Sequence, residues 1–168
     1  TFCLIPQLVD KLSIPVITAG GIVDGRGILS AFSLGADGVQ IGTRFAATVE
    51  SSAHDNYKQE IINSGDQDTT LAFKKIGLVR IIKNDFAIRA MKAEYEGWNE
   101  IQLRELLGSK RERAGIFEGD LVEGELEAGQ GVGLINDIPT VKDLFDRFFK
   151  EYKIAKDNLR QLNADDTD

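Results

Sequence analysis

Two glycine-bearing turns, at residues 18–21 and 42–43, are the feature that most constrains how this chain folds. The first turn closes the apolar residues 14–17, and the second closes residues 38–41. The amphipathic segment between them is long enough for one helix. A strand, a helix and a second strand within about 30 residues form a βαβ unit, and such a crossover pairs its strands in parallel. The sequence therefore predicts an α/β fold.

The predicted crossover helix has clear end signals. Asp24 is placed to cap its N-terminus, and Gly35 is typical of a C-terminal end. Its apolar residues have the spacing of a helix that buries one side; they are Ile28, Ala31, Phe32 and Leu34. Both glycine turns are then expected at the carboxyl ends of two neighbouring parallel strands.

The composition of the two turns favours an anionic ligand. Glycine lets a backbone approach a ligand without a Cβ in the way, and consecutive N–H groups near a helix N-terminus attract anions. Thr18 and Thr43 add hydroxyl donors. In a (β/α)8 barrel the turns after strands seven and eight form a frequent phosphate site. We therefore expect a phosphate site here; the alternative is two tight turns at a sheet edge.

The common nucleotide-binding loops do not match these turns. Ser30 stands where the last glycine of G-x-G-x-x-G would fall, and no G-x-x-x-x-G-K-[ST] run occurs in the chain. The sequence thus argues against a dinucleotide-binding fold and against a P-loop.

The composition fits a cytoplasmic protein and argues against several classes of partner. The 168 residues carry a formal net charge of -7, which argues against nucleic-acid and anionic-membrane partners. The single cysteine, Cys3, excludes an internal disulfide, and no segment reaches the roughly 18 apolar residues of a membrane span. The chain opens without Met inside an amphipathic element, so we expect the C-terminal part of a longer protein; a trimmed domain is the alternative.

Beyond the βαβ unit, the sequence predicts a mostly helical region and a closing helix. Helices are expected at residues 4–12, at 53–64 after a Ser51-Ser52 cap, from Asn84 or Asp85 onward, and at 98–107. Short strands are expected at residues 71–73 and 78–82, and a loop at 108–127. The apolar spacing of residues 141–152 predicts the last helix, with Thr140 and Asp143 as its capping pair. Residues 153–168 are expected to form a polar, fraying tail.

Three segments together resemble the nitronate monooxygenase family, formerly called 2-nitropropane dioxygenases. They are residues 14–22 (IPVITAGGI), 24–27 (DGRG) and 34–45 (LGADGVQIGTRF). Later pieces agree, among them residues 68–70 (DTT) and 128–130 (AGQ). The resemblance covers most of residues 1–152, and flavin-type enoyl-acyl-carrier-protein reductases share the pattern.

The resemblance implies an FMN-dependent TIM (β/α)8 barrel, of which this chain holds the last two strands and a small, mostly helical inserted domain. On this interpretation residues 1–50 end the FMN-binding barrel, and residues 51–127 form the inserted domain with a loop. Residues 128–152 are the return loop and the closing barrel helix, and residues 153–168 are the polar tail.

The resemblance also implies a set of cofactor-binding residues. Backbone N–H groups would hold the FMN phosphate, with a hydroxyl nearby and a glutamine in the return loop; the residues are Thr18, Gly20, Gly21, Gly42, Thr43 and Gln130. The catalytic histidine of these families lies in an upstream glycine-rich loop, so no catalytic residue is expected here. His54, the only histidine, is interpreted as a surface residue at a helix start.

The implied activity is the oxidation of alkyl nitronates with O2 by an FMN-dependent oxidoreductase. One alternative is a flavin-dependent enoyl-acyl-carrier-protein reductase, which uses an enoyl thioester and NAD(P)H. Another is a non-catalytic remnant or an FMN-binding or phosphate-binding module. We expect the isolated chain to be inactive and to need the missing N-terminal barrel half or self-association, because an exposed sheet edge is a liability in solution.

Three further features receive structural interpretations. Cys3 is expected to be a small core residue. Arg44 either neutralises phosphate charge or pairs with the inserted domain, and the sequence leaves both open. The acidic cluster lacks the spacing of a calcium loop and is expected to be a solvated surface without a metal; it comprises Glu118, Asp120, Glu123, Glu125 and Glu127.

Overall fold

The computed structural model describes residues 2–164 and divides into two compact units. The first unit takes the chain up to Gly42 and again from Pro139 onward, and the second runs from Thr43 to Ile138. The helices are α1 (Leu4–Val9), α2 (Gly25–Ser33), α3 (Thr43–Ala46), α4 (Asp55–Asn63), α5 (Asp85–Tyr95), α6 (Glu100–Leu107) and α7 (Val141–Ala164). The strands are β1 (Ile17–Ala19), β2 (Gly38–Gln40), β3 (Thr69–Ala72) and β4 (Val79–Ile82). A π-helical turn spans Arg113–Phe117, and a 3₁₀ helix spans Gln130–Leu134.

A parallel strand pair with a crossover helix makes the first unit an α/β structure, as predicted. β1 and β2 pair in parallel, with Ala19 opposite Gln40. Asp37 fixes this register from the start of β2. Its Oδ2 accepts the Val16 N–H at 2.8 Å, and its own N–H donates to the Val16 carbonyl at 2.9 Å. The two strands therefore end side by side, each followed by one of the glycine turns.

Helix α2 begins where the sequence predicts and packs along α7. Asp24 caps it, with Oδ1 accepting a first-turn backbone N–H at 2.8 Å. The Gly25 N–H donates to Glu151 Oε2 at 2.9 Å, and Phe32 meets Tyr152 edge to face. One cluster of buried residues in this unit consists of Ile5, Ile22, Ala31 and Ala36. Packing of α2 on α7 thus joins the two chain segments that form the first unit.

The second unit is built on an antiparallel hairpin and two capped helices. β3 pairs with β4, and Ile81 on the other side of β4 forms a bridge with Glu127. Asn84 caps α5, and Asn99 with Gln102 forms a complete capping box on α6. The hairpin and these helices share one core, which consists of Ala72, Phe73, Ile81, Phe86, Ala87, Ala90, Ala93 and Leu103.

Helix α4 begins later than the predicted residue 53. Its cap is His54, whose Nδ1 accepts the Asn56 N–H at 3.1 Å, and the helix starts at Asp55. The His54 N–H donates to the Ile116 carbonyl at 2.8 Å, which keeps His54 extended. The Ser51 hydroxyl accepts the N–H of Ala53 at 3.2 Å, and Ala53 lies before the first residue of the helix. A contact distant in sequence therefore sets the start of this helix.

Residues 108–127 are more regular than the loop that the sequence predicts. They contain the π-helical turn Arg113–Phe117, and the Leu126 carbonyl accepts the Ile82 N–H at 2.9 Å. The Arg111 guanidinium donates to the Leu107 carbonyl at 2.8 Å and lies 4.4 Å from the Phe86 ring centroid. Because these contacts are tertiary, the segment shows no sequence period.

Helices α1 and α7 differ in length from their predictions. α1 ends at Val9 and continues only as a turn, whereas the sequence predicts a helix to residue 12. α7 continues beyond Tyr152 to Ala164, since the polar residues there are good helix formers. Most of the predicted tail is therefore helical, and residues 165–168 lie outside the described part. None of the helices in residues 2–164 has the length and apolar content to cross a bilayer.

Candidate functional site

The turn after β1 has a backbone conformation that glycine adopts readily and other residues adopt at a cost. Gly20 and Gly21 have φ values of 95° and 75°, in the left-handed region. Both are exposed, and neither donates its N–H to the turn hydrogen bonds of the described residues. A Cβ at Gly20 would meet nothing within 4 Å. Two successive N–H groups are thus available at the carboxyl end of β1.

Thr18, in the middle of β1, has a buried hydroxyl. Its residue exposure is 4%, and its Oγ1 has no hydrogen-bond partner among residues 2–164. Leaving a buried polar group unpaired costs about 1–3 kcal/mol, so native structures keep few of them. An oxygen of a bound ligand would supply the missing partner.

The turn after β2 has open space around Gly42 and an ordinary backbone conformation there. Gly42 is exposed and has an ordinary φ, and a Cβ there would meet nothing within 4 Å. Its strand ends beside β1, since Gln40 pairs with Ala19. The residues of the first unit therefore fit a phosphate group: backbone approach is open at both turns, and a buried hydroxyl lacks an acceptor.

The remaining predicted cofactor-binding residues, Thr43 and Gln130, belong to the second unit and lie close together there. Thr43 opens α3, and its Oγ1 accepts the Gly129 N–H at 2.9 Å. Gln130 follows as the exposed first residue of the 3₁₀ helix. The return loop is thus attached to the residue that directly follows Gly42. The Thr43 hydroxyl accepts one hydrogen bond and keeps its own proton to donate.

Arg44 forms an ion pair inside the second unit. It is 3% exposed, and its Nη1 donates to Asp137 Oδ1 at 3.1 Å. Its Nη2 donates to the carbonyls of Asp137 and Ala47, both at 2.7 Å. Of the two interpretations left open by the sequence, the structure favours the ion pair. Its partner lies in the segment before α7 and outside the predicted inserted domain.

The structure confirms the interpretation of His54 and contradicts the prediction for Cys3. His54 is exposed at the start of α4 and uses Nδ1 as a helix cap, in agreement with its interpretation as a surface residue. The prediction for Cys3 is wrong, because this residue is exposed. Only Ile5 of helix α1 is buried, so the short helix presents a narrower buried face than its apolar spacing predicts.

The acidic cluster is only partly a solvated surface. Glu125 is buried, with 7% exposure, and the pKa of its carboxyl is raised first by burial and then by Glu127 and Glu112. The prediction is wrong for this residue, because β4 and the π-helical turn enclose its segment. Among the described residues, no group of three or more His, Cys, Asp or Glu side chains could hold a metal ion.

Asp37 positions the candidate site and was not predicted to do so. Its two hydrogen bonds to Val16 align the strands that carry both turns. The signal in the sequence is an acidic residue directly before a strand with a parallel neighbour, a pattern too common to identify this role alone.

Comparison with known proteins places the chain among flavoenzymes. Residues 1–151 match the family model described as nitronate monooxygenase. The (3aS,4S,5R,7aS)-5-hydroxy-7a-methyl-1-oxo-octahydro-1H-indene-4-carboxyl-CoA dehydrogenase of Rhodococcus jostii (strain RHA1) is 32% identical over 204 residues, covering 98% of this chain and 55% of that protein. A probable nitronate monooxygenase of Staphylococcus haemolyticus (strain JCSC1435) is 49% identical over 98 residues, covering 58% of this chain and 27% of that protein.

Solved structures share the fold of nearly the whole chain. FabK from Thermotoga maritima matches with a TM-score of 0.89 and 40% identity, covering 96% of this chain and 51% of that chain. Nitroalkane oxidase from Streptomyces ansochromogenes matches with a TM-score of 0.75 and 28% identity, covering 94% of this chain and 45% of that chain. The chain therefore spans about half the length of these structures.

Proposed function

Because this chain belongs to the nitronate monooxygenase family, we propose that it forms the FMN phosphate site of an oxidoreductase that oxidises alkyl nitronates with O2. Members of the family are FMN-dependent flavoenzymes that act on small molecules with O2 or NAD(P)H. The observation that carries the proposal is the buried Thr18 hydroxyl without a partner, on a strand whose turn is left open by glycines.

The proposed site binds the cofactor and contains no catalytic residue. It comprises Thr18, Gly20, Gly21, Gly42, Thr43 and Gln130. The N–H groups of the glycines and of Thr43 donate to phosphate oxygens, and the Thr18 hydroxyl adds a further donor. Gln130 contributes its side-chain amide from the return loop. Bound FMN supplies the redox chemistry, while the protein binds and orients it.

We also propose that β1 and β2 are the last two strands of a TIM barrel and that the second unit corresponds to a small inserted domain. Ile17 on β1 is 57% exposed, and a further barrel element would cover it. The chain spans 51% of the FabK structure, so the other strands and the catalytic histidine are assigned to protein outside these 168 residues. The segment boundaries at residues 50, 127 and 152 and the cytoplasmic location stay predictions.

Binding of FMN and of riboflavin tests the phosphate site without turnover. In titrations of the 168-residue chain followed by flavin fluorescence, we expect FMN to bind more tightly than riboflavin, which lacks the phosphate. Gly42→Ala should reduce this preference about tenfold, because its methyl group occupies space needed by the phosphate. The free energy of unfolding should change by less than about 0.5 kcal/mol, since the new Cβ meets no protein atom within 4 Å.

Gly65→Ala is the matched control. Its φ is ordinary and its new Cβ would make an ordinary contact of 3.4 Å with Asp68 Oδ2. We expect this variant to bind FMN like the wild type. Equal affinities for FMN and riboflavin, or an unchanged preference in Gly42→Ala, would contradict the proposed site.

The similarity to FabK supports the reductase alternative, because its TM-score and identity exceed those of nitroalkane oxidase. Two assays separate these activities when they are run on the protein that also contains the other barrel strands. They are oxygen uptake with propionate nitronate and NADH oxidation with a crotonyl thioester. Preference for the thioester would replace the first proposal by the second. Turnover by the 168-residue chain alone would contradict the assignment of the catalytic chemistry to other segments. Flavin binding without turnover, both by this chain and by the protein with the other barrel strands, would favour a non-catalytic module.

A further inference from the structure

A cleft in the second unit contains none of the predicted cofactor-binding residues. It lies beside the β3–β4 hairpin and the C-terminal half of α5, and its volume is about 630 Å³. Sites for small molecules have volumes of roughly 300–1,000 Å³. Its lining includes Leu71, Lys74, Lys75, Arg80, Met91 and Tyr95. The cleft is therefore large enough for a nucleotide.

Cations dominate the lining of the cleft, although the whole chain carries a net charge of -7. Lys74, Lys75 and Arg80 share it with one carboxylate, Glu94. That carboxylate is already engaged, because Oε2 accepts the Phe73 N–H at 3.0 Å and Oε1 accepts the Lys74 N–H at 2.7 Å. The excess of positive charge favours an anionic ligand.

Two of the cationic side chains are held by hydrogen bonds and still have further N–H donors. Lys75 Nζ donates to the Trp98 carbonyl at 2.7 Å, and Arg80 Nη1 donates to Thr69 Oγ1 at 3.0 Å. An ammonium group has three donors and a guanidinium group five. Both side chains can therefore donate to phosphate oxygens without leaving their partners, which is the arrangement that charge-assisted recognition requires.

An exposed apolar surface adjoins these charges. Tyr95 is 93% exposed, and Met91, one helical turn earlier on α5, is 40% exposed. Residues four apart on a helix share a face, so the two side chains lie on the same side of the cleft. An exposed aromatic ring is a stacking surface for a nucleobase, and methionine adapts to irregular apolar shapes.

The backbone that carries the lysines is fixed before any ligand binds. Phe73 is fully buried and has a φ of 59°, which is unusual for a bulky residue. Its carbonyl accepts the N–H groups of Ile76 at 3.1 Å and Gly77 at 2.9 Å, which closes the turn. Together with the Glu94 contacts, this turn presents Lys74 at little entropic cost on binding.

We propose that this cleft binds the adenosine phosphate portion of a coenzyme, with its phosphates on Lys74, Lys75 and Arg80 and its adenine against Tyr95. Coenzyme A and NADP(H) both contain an adenosine with an additional ribose phosphate. Three cations suit that third phosphate as well as the diphosphate. The site belongs wholly to the second unit and does not depend on which flavin reaction is correct.

Calorimetric titrations of the chain at saturating FMN test the site and identify the source of the nucleotide. The probes are adenosine 3′,5′-bisphosphate for coenzyme A, adenosine 2′,5′-bisphosphate for NADP(H), and ADP as the form without the ribose phosphate. We expect one of the two bisphosphates to bind more tightly than ADP. Tighter binding of the 3′,5′ isomer identifies coenzyme A, and tighter binding of the 2′,5′ isomer identifies NADP(H). Absence of binding by all three, or ADP binding as tightly as both bisphosphates, would overturn the proposal. A separate FMN titration shows whether the flavin site itself has failed.

Two variants and a matched control locate the binding. Lys74→Gln and Tyr95→Ala should each weaken the bisphosphate about fivefold, and folding should persist because both side chains are exposed. Lys92→Gln is the control, since Lys92 is an exposed α5 lysine that pairs with Glu96 at 3.8 Å and does not line the cleft. Equal losses in the control, or no loss in the two variants, would place any binding elsewhere.

Discussion

A buried hydroxyl without a partner destabilises a protein unless a ligand accepts its hydrogen bond, and Thr18 has such a hydroxyl. Thr18→Val keeps the shape of the side chain and removes the hydroxyl. We expect the free energy of unfolding to stay constant or rise by about 1 kcal/mol. FMN affinity should fall about fivefold, because the phosphate loses one donor. Urea denaturation and flavin fluorescence measure the two effects.

Thr48→Val is the matched control for this substitution. Thr48 is 1% exposed, but its Oγ1 donates to the Phe45 carbonyl at 2.7 Å. Removing that hydroxyl should cost about 1 kcal/mol of stability and leave FMN affinity unchanged. If Thr18→Val lost stability as Thr48→Val does and bound FMN normally, the Thr18 hydroxyl would be structural.

The raised pKa of the Glu125 carboxyl predicts that the stability of the fold depends on pH. Burial, followed by the charges of Glu127 and Glu112, raises the pKa of its carboxyl above 4.5 in the folded state. Ionisation therefore costs the folded state free energy as the pH rises above 4.5, and this cost becomes constant above the folded-state pKa. We expect Glu125→Gln to raise the unfolding temperature at about pH 8 and to have no such effect below about pH 4.

Thermal unfolding at several pH values measures this difference. Glu118→Gln is a suitable control, because Glu118 is exposed and pairs with Arg113 at 2.9 Å on the surface. Its effect should be small at every pH. A gain from Glu125→Gln that was the same at about pH 4 and about pH 8 would show that packing, and not ionisation, causes it.

Residue roles that depend on local geometry could be predicted from the sequence, and those that depend on tertiary burial could not. Asp24 caps α2 as predicted, and the turn at Gly20 lies where the glycine pattern predicts it. A helix cap and a glycine turn each depend only on neighbouring residues. Arg44 pairs with Asp137, 93 residues away, and Glu125 is enclosed by distant segments. No local pattern reports either environment.

At the scale of elements, α2 approaches the backbone of α7 closely at Gly25. A Cβ there would lie 2.3 Å from the Tyr152 backbone N and 2.7 Å from the Glu151 carbonyl carbon. Because backbone atoms cannot give way as a flexible side chain does, Gly25→Ala should push the helices apart and lower the free energy of unfolding by about 2–3 kcal/mol. Urea denaturation monitored by circular dichroism measures the loss.

Gly27→Ala controls for this substitution within the same helix. Its Cβ would approach the flexible Ile22 side chain at 3.3 Å and no backbone of α7. We expect a change between zero and a gain of about 1 kcal/mol, since alanine is the better helix former. Equal destabilisation by both variants would mean that helix propensity, and not the contact with α7, requires glycine.

The elements with strong local signals were predicted well. The βαβ unit and the caps at Asp24 and Thr140 are confirmed, because short-range periodicity and capping residues define them. The start of α4 and the π-helical turn Arg113–Phe117 depend on contacts between distant segments. The length of α7 was underestimated, since its last turns lack the apolar spacing on which the prediction relied.

At the scale of the whole molecule, each of the two units has a cluster of buried apolar residues within the described part of the chain. The first unit uses both ends of the chain, so its stability depends on α7 returning to α2. The glycine turns of that unit were predicted because glycine marks them directly. The cleft of the second unit was not, because Lys74 and Tyr95 come together only when the hairpin packs beside α5.

This division predicts the result of shortening the chain. A chain that ends at Ile138 lacks α7, so Gly25 and Phe32 lose their partners Glu151 and Tyr152, and we expect loss of FMN binding. The buried cluster of the second unit lies within residues 72–103, so the amides of α5 should keep their slow hydrogen exchange. A chain that ends at Lys156 keeps both α7 contacts and should bind FMN normally. Undiminished FMN binding after truncation at Ile138, measured by flavin fluorescence, would contradict the dependence of the glycine turns on α7.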